Sequence, residues 1–295
     1  MRSYDFSVSV PSKWVFAGEH AVLRGGKALA IPHDEFNLEW RFARSNNSDL
    51  VISRNPFRDQ LLALLKRGGL WIEEHLQIEV PPIFGEISVE STIPLGAGLG
   101  SSAALCVAAA EFLLWQSSQK DNQNTFVQNR HILPKLATAL EDLFHGKSSG
   151  MDVNVIVEGR PILFSMEQKV EKRLEMIHLP RFKLFDTGFR ATTKLCISRV
   201  EDWRKTHSFP EELDARMSQA ACLAVDSLRQ EVSADKRLEL CAHALSEAQG
   251  CFEAWGLVTP ELLEQKKALL TQGALSAKLT GAGLGGFWVT LWKDS

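Results

Sequence analysis

The hydrophobic pattern changes period several times along the chain, and each change marks an element. Apolar and polar residues alternate in "DFSVSV", "FNLEWRF" and "GEISVES", the period of two expected of strands with one buried face. Between and after them, "RDQLLALLKR", "SSAALCVAAAEFLLW" and "LPKLATALEDLF" carry the apolar spacing of helices. "HGKSSGMDVNVIV" then reads as a loop running into a strand, with Asp152 at the strand entrance. From Phe182 a strand-like "FKLFDTG" precedes three helical segments, "PEELDARMSQAACLAVDSLRQEV", "DKRLELCAHALSEAQGCFEAW" and "PELLEQKKALLTQG". Two strand-like pieces, "ALSAKLTG" and "GFWVTLW", close the pattern. This order predicts an α/β (α+β) protein in two parts, residues 1–180 and 181–295, divided near Pro180.

Composition narrows the classes. A chain of 295 residues with 45% hydrophobic and 23% charged residues can bury one large core or two packed ones. A formal net charge of −3, with no dense cluster of Lys and Arg, argues against nucleic acid and anionic membranes as partners. No apolar region follows Arg2, and Glu111 interrupts the longest apolar run, so the expectation is a soluble, cytoplasmic protein. The five cysteines are odd in number and widely spaced, without CxxC or Cys/His spacing. They read as buried thiols in a reducing compartment, not as zinc ligands.

The stretch "STIPLGAGLGSSAALCV" raises the chemical question. Three alternating glycines and two serines, with no charge, stand before a long apolar helix. Glycine lets a ligand approach the backbone, and a helix start offers unsatisfied N–H groups and partial positive charge, so the two together form an anion cradle. The plainer alternative is a strand-to-helix turn capped by a serine, for which one glycine would suffice. A P-loop is excluded, because Glu141 stands where the Walker pattern needs glycine ahead of Gly146-Lys147-Ser148. Gly281, Gly283 and Gly286 satisfy GxGxxG, but only a short strand comes after them and no βαβ unit fits.

"VPSKWVFAGEHAVLRGG", "PLGAGLGSSAA" and "KLTGAGLGG" occur in that order, and together they resemble the three motifs of the GHMP small-molecule kinases. The "GEHAV", "PLGAGLGSSAA" and "KLTGAG" forms point within that family to the mevalonate kinases. The resemblance implies a ribosomal-protein-S5-domain-2-like N-terminal domain and a ferredoxin-like C-terminal one. It implies ATP as co-substrate, Mg²⁺, and phosphorylation of the 5-hydroxyl of mevalonate. Dimerisation is common in the family, so the resemblance also implies a homodimer.

Carried residue by residue, the resemblance gives the phosphates to Pro94, Gly96, Ala97, Gly98, Leu99, Gly100, Ser101, Ser102 and Ala103, with Gly281, Ala282 and Gly283 closing over them. Ser102 and Glu141 become the Mg²⁺ ligands. Glu141 sits at the margin of the apolar face of its helix, and its eleven-residue spacing from Asp152 resembles the family's arrangement. Asp152 takes the position of the catalytic aspartate, a base or positioning group for the substrate hydroxyl, and Lys13 stands by to stabilise the incipient alkoxide. Glu19, His20, Ser149 and Thr193 fall to the substrate side, although Thr192 and Thr193 also suit a helix N-cap.

Several positions depart from the family pattern. Ser12 replaces a glycine, Lys147-Ser148 replaces Asn-Pro, "VEGRP" stands where "YGG" is common, and Leu284 interrupts the third glycine run. The rival within the class is phosphomevalonate kinase, against which His20 in "GEHAV" argues. Galactokinases usually continue "GEH" with Thr-Asp, whereas Ala21-Val22 stands here; homoserine kinase is also a poorer fit, and a mevalonate diphosphate decarboxylase would lack "GEHAV". The reading from another class is a kinase-fold protein that binds nucleotide or isoprenoid without catalysis, for which Asp152 would have no use.

Overall fold

The computed structural model describes residues 3–46, 49–53, 58–119, 130–146, 148–175 and 179–293. They fall into two compact units, each assembled from separated stretches. The first comprises Met1–Ser12, His33–Ile93 and Gly100–Val157; the second comprises Lys13–Pro32, Pro94–Leu99 and Glu158–Ser295. Strands β1 (Phe6–Ala17) and β2 (Ala28–Arg44) are long enough to lend residues to both.

In the first unit, β4 (Gly85–Ser91) pairs antiparallel with β2, from Leu38↔Ser91 to Arg44↔Gly85, and parallel with the short β3 (Leu50–Ile52). Helix α2 (Ser101–Ser117) is apolar on every side and buried from Ala103 to Leu114 almost throughout, as a central helix must be. Helices α1 (Arg58–Leu76) and α3 (Leu133–His145) pack on it. Gly68 of α1 sits so close that an added Cβ would lie 2.3 Å from Leu113 Cδ1. On the sheet side, Phe112 meets Phe6, Trp40 and Phe42 at ring separations of 5.6, 5.5 and 5.1 Å. Removing so buried an aromatic would cost about 3–5 kcal/mol.

The expected strand after Gly150 is instead a two-turn helix, α4 (Met151–Glu158). Val153, Val155 and Ile156 have strand-like shapes, and burial of Met151, Val153 and Val155 copies a pleat. Local hydrogen bonding prevails over that preference. Gly150, at φ +80°, opens the first turn, and its carbonyl accepts both the Asn154 amide at 2.9 Å and the Asn154 side chain at 2.7 Å.

The second unit pairs the start of β2 with β5 (Ile162–Ser165), and β5 with β6 (Lys169–Arg173). A separate antiparallel sheet has the order β7 (Phe182–Asp186), β9 (Phe287–Leu291), β8 (Ser276–Thr280). Helices α6 (Pro210–Ser227), α7 (Ala234–Ala254) and α8 (Pro260–Thr271) match the three segments expected from the sequence. Ser233 and Thr259 cap the last two with their hydroxyls, and proline opens α6 and α8. A fourth helix, α5 (Thr193–Thr206), escapes the pattern because only Cys196 and Val200 on it are buried. The mixed α/β architecture is as expected. Among the described residues no helix is long and apolar enough to cross a membrane.

Candidate active site

The second unit holds Lys13 and two of the glycine loops. Lys13 is only 2% exposed; its amide donates to Leu99 O at 3.1 Å, and its ammonium donates to Gly98 O at 3.1 Å. Residues 94–99 and 281–286 touch backbone to backbone. A Cβ on Gly98 would lie 2.7 Å from Thr280 O and 2.8 Å from Gly281 Cα, and one on Gly281 would lie 2.6 Å from Gly98 Cα. A side chain has no room at Gly98 or Gly281, so close approach demands glycine at these two positions in addition to their positive φ. The second loop is tied down at its far end, where Gly286 O accepts from the amide and hydroxyl of Thr187 at 3.0 and 2.9 Å. Leu284 itself adopts φ +58° and donates its amide to Leu257 O at 2.8 Å, so the interrupted glycine run keeps a left-handed bend.

The turn carrying Glu19 and His20 lies in the same unit. Gly18, at φ +108°, allows β1 to reach within 2.2 Å of Ala28 Cα, counted from the Cβ it lacks. The Glu19 carboxylate accepts from Lys278 Nζ at 2.5 Å, and the two side chains are 6% and 0% exposed. Burial pushes the Glu19 carboxyl up and the Lys278 ammonium down, and each partner's charge opposes that shift. Lys278 also donates to Leu279 O at 2.7 Å and lies 4.6 Å from the Phe252 ring centroid. The second carboxylate oxygen of Glu19 has no partner among the described residues. His20 places Nε2 2.8 Å from Ala282 O.

The first unit holds the helix start and the two candidate carboxylates. Gly100, not a serine, is the N-cap of α2, at φ +78° and with no side-chain cap. Gly100 has no side chain to turn back on the first-turn amides of α2, and such amides favour an anion. Glu141 is 3% exposed and takes a hydrogen bond from Ser148 Oγ, while the Ser148 amide donates to Asp142 Oδ1 at 2.7 Å. Burial, and then the negative charge of Glu141, raises the thiol of Cys106. Helix α3, which carries Glu141, packs on α2, which carries Ser102. Ser149 Oγ accepts from the Met151 amide at 3.2 Å, and Asp152 stands in the first turn of α4, where the helix dipole favours negative charge. Lys147 lies outside the described residues.

Most of these groups are legible in the sequence motifs, and two are not. Lys278 was hidden inside a glycine motif, although a lysine in a fully buried strand always needs a counterion. Ser148 passed as a departure from pattern, yet its hydroxyl anchors Glu141. Thr193 is exposed at the first position of α5, and Thr192 is the cap, its hydroxyl accepting from the Leu195 amide at 3.3 Å.

The chain is similar to known proteins along most of its length. Residues 63–160 match the profile of the GHMP kinases N terminal domain. A mevalonate kinase of Archaeoglobus fulgidus is 29% identical over 294 residues, spanning 97% of this chain and 92% of that protein. One from Thermococcus gammatolerans is 32% identical over 305 residues, spanning 94% and 86%. The crystal structure of L. major mevalonate kinase in complex with R-mevalonate superposes with a TM-score of 0.75, covering 100% of this chain and 91% of that one at 19% identity, a likeness of fold. With relatives above 30% identity along nearly its whole length, and with the three motifs in order, the chain belongs to the GHMP kinase family.

Proposed function

We propose that this protein transfers the γ-phosphoryl group of ATP to the 5-hydroxyl of mevalonate, giving 5-phosphomevalonate and ADP. The observation that carries the reading is the Lys13 ammonium seated on the Gly98 carbonyl, beside two glycine loops packed backbone to backbone. That arrangement fixes a cation beside the glycine loops, and phosphoryl transfer needs fixed positive charge near the phosphates. The relatives' name, mevalonate kinase, supports the substrate.

In this reading the glycine loops and the start of α2 bind the nucleotide phosphates. Asp152 orients the alcohol and accepts its proton, and Lys13 stabilises the oxygen as it becomes negative. Glu19, with one carboxylate oxygen unpartnered among the described residues, accepts from a substrate hydroxyl, and Ser149 and Thr193 border the alcohol. Ser102 and Glu141 suit Mg²⁺: both offer hard oxygen donors, Glu141 is buried and held by Ser148, and its helix packs on α2. When bound, the ion neutralises phosphate charge. We divide the family's two domains at residues 1–180 and 181–295, and place the reaction in the cytoplasm, a reading supported by five free thiols.

The test is ADP release from Mg·ATP with mevalonate, phosphomevalonate, homoserine and galactose in turn, with Asp152→Asn as control. Turnover of mevalonate, lost by roughly 10²–10⁴-fold in the variant, is the expected result. Turnover of another alcohol overturns the substrate, and nucleotide binding without any turnover overturns the enzyme.

A further inference from the structure

The first motif grips the third at three points spaced by two residues. Glu19 holds Lys278, the Val15 amide donates to Thr280 Oγ1 at 2.9 Å, and His20 meets Ala282 O at 2.8 Å. Lys278 and Thr280 lie on one face of β8, and Ala282 continues their spacing just past the strand's end.

The last contact defines what His20 is. A carbonyl oxygen only accepts, so Nε2 carries the proton. The ring is 6% exposed, and edge-on contacts at 5.6 and 6.0 Å to Trp255 and Phe252 enclose it. Burial, with Arg24 and Lys278 opposing a second proton and Asp214 and the Ala282 carbonyl favouring one, lowers its pKa to about 4. The ring is therefore neutral at physiological pH, with its only N–H committed to Ala282. Its backbone is strained by this reach, standing at φ 61°, ψ −50°, a region costly to residues other than glycine.

Holding the Ala282 carbonyl also fixes the next peptide group. In a trans peptide the C=O and the next N–H point in opposite directions, so the His20 bond sets the direction of the Gly283 amide. The neighbouring peptides are fixed as well: Gly283 O takes the Cys196 thiol at 3.3 Å, and the Leu284 amide goes to Leu257 O. We propose that His20 is a positioning residue for the nucleotide, acting through the Ala282 carbonyl to aim the third glycine loop, and not a ligand of the alcohol. The proposal rests on the reading of this chain as an ATP-dependent kinase and divides two adjacent residues, Glu19 toward the alcohol and His20 toward the nucleotide loop.

The experiment compares His20→Leu, which removes the donor, with His20→Gln, whose amide N–H has about the same reach. Titration with Mg·ADP should show His20→Leu binding about 10–100-fold more weakly, the consequence of a buried carbonyl left without its donor. KM for ATP rises with it, KM for mevalonate changes less than about twofold, and His20→Gln recovers most of the loss. A raised KM for mevalonate with unchanged ADP affinity overturns the proposal, as does a glutamine variant no better than leucine. Ring ¹⁵N shifts of the unmodified protein decide the question even where a variant does not fold: a proton on Nε2 is required, and one on Nδ1 refutes the latch. If the unmodified protein turns over no mevalonate while His20→Leu still weakens ADP binding, the substrate reading falls and the latch stands.

Discussion

Gly96 and Gly98 stand two residues apart in one loop, both left-handed at φ +65° and +78°, and alanine should affect them very differently. At Gly96 an added Cβ meets nothing within 4 Å, so Gly96→Ala bears only the conformational cost, about 1–2 kcal/mol. At Gly98 the same Cβ falls 2.7 Å from Thr280 O and 2.8 Å from Gly281 Cα. Both are backbone atoms that cannot rotate away, so the two loops must part by several tenths of an ångström. Overpacking of that kind adds about 1–3 kcal/mol, giving about 2–5 kcal/mol in all for Gly98→Ala. The excess between the two variants, about 2 kcal/mol, corresponds to about 4–8 °C in Tm. Thermal unfolding of the nucleotide-free proteins measures it, since no ligand affinity then enters. Equal losses at the two positions would refute the idea that loop-to-loop contact, and not turn geometry, demands glycine at 98.

Four further outcomes are expected from the same structure. Lys278→Met leaves the buried Glu19 carboxylate without its counterion and should cost about 3–5 kcal/mol in urea unfolding; adding Glu19→Gln should return at least half, and no recovery would deny the pairing. Because folding lowers the His20 pKa from 6.5 to about 4, the unfolded chain binds more protons between those values. Stability is then full above pH 6.5 and falls by about 3 kcal/mol on acidification toward pH 4, a slope that should be missing from the Tm profile of His20→Gln. Ser148→Ala removes the hydroxyl that holds the Glu141 carboxylate and should raise the Mg²⁺ concentration for half-maximal turnover by about tenfold, with an unchanged requirement counting against Glu141 as a metal ligand. Asp152→Asn should bind Mg·ADP as well as the parent protein does while losing turnover, so a parallel loss of binding would point to a folding defect instead.

Periodicity revealed the long elements because their burial is one-sided or complete: "GEISVES" is β4 to the residue, and "SSAALCVAAAEFLLW" lies wholly within α2. It failed where local hydrogen bonds outweigh side-chain preference. Met151–Glu158 reads as a strand until the two bonds from Asn154 to Gly150 O are known. Helix α5 has two buried residues in fourteen and so leaves no stripe; the Thr192 cap is its one sign in the sequence. In the candidate site, motif order points to Lys13, the glycine loops and the carboxylates, since each motif is local in sequence. The partners of Glu19 and His20 were not legible. They lie 259 and 262 residues away, and no spacing rule connects a lysine in β8 to a glutamate after β1.

That separation has a consequence for how the protein is made. Ribosomes add about 5–20 residues per second, so Val15, Glu19 and His20 leave the ribosome on the order of tens of seconds before the residues they grip are synthesised. Throughout that interval the Glu19 carboxylate stays hydrated and the His20 turn has nothing to hold it in its strained conformation. Closing so long a loop is entropically slow, which makes this contact a late step in folding. A nascent chain can complete the aromatic cluster around Phe112 from residues already made, but its two glycine loops can meet only after β8 has emerged.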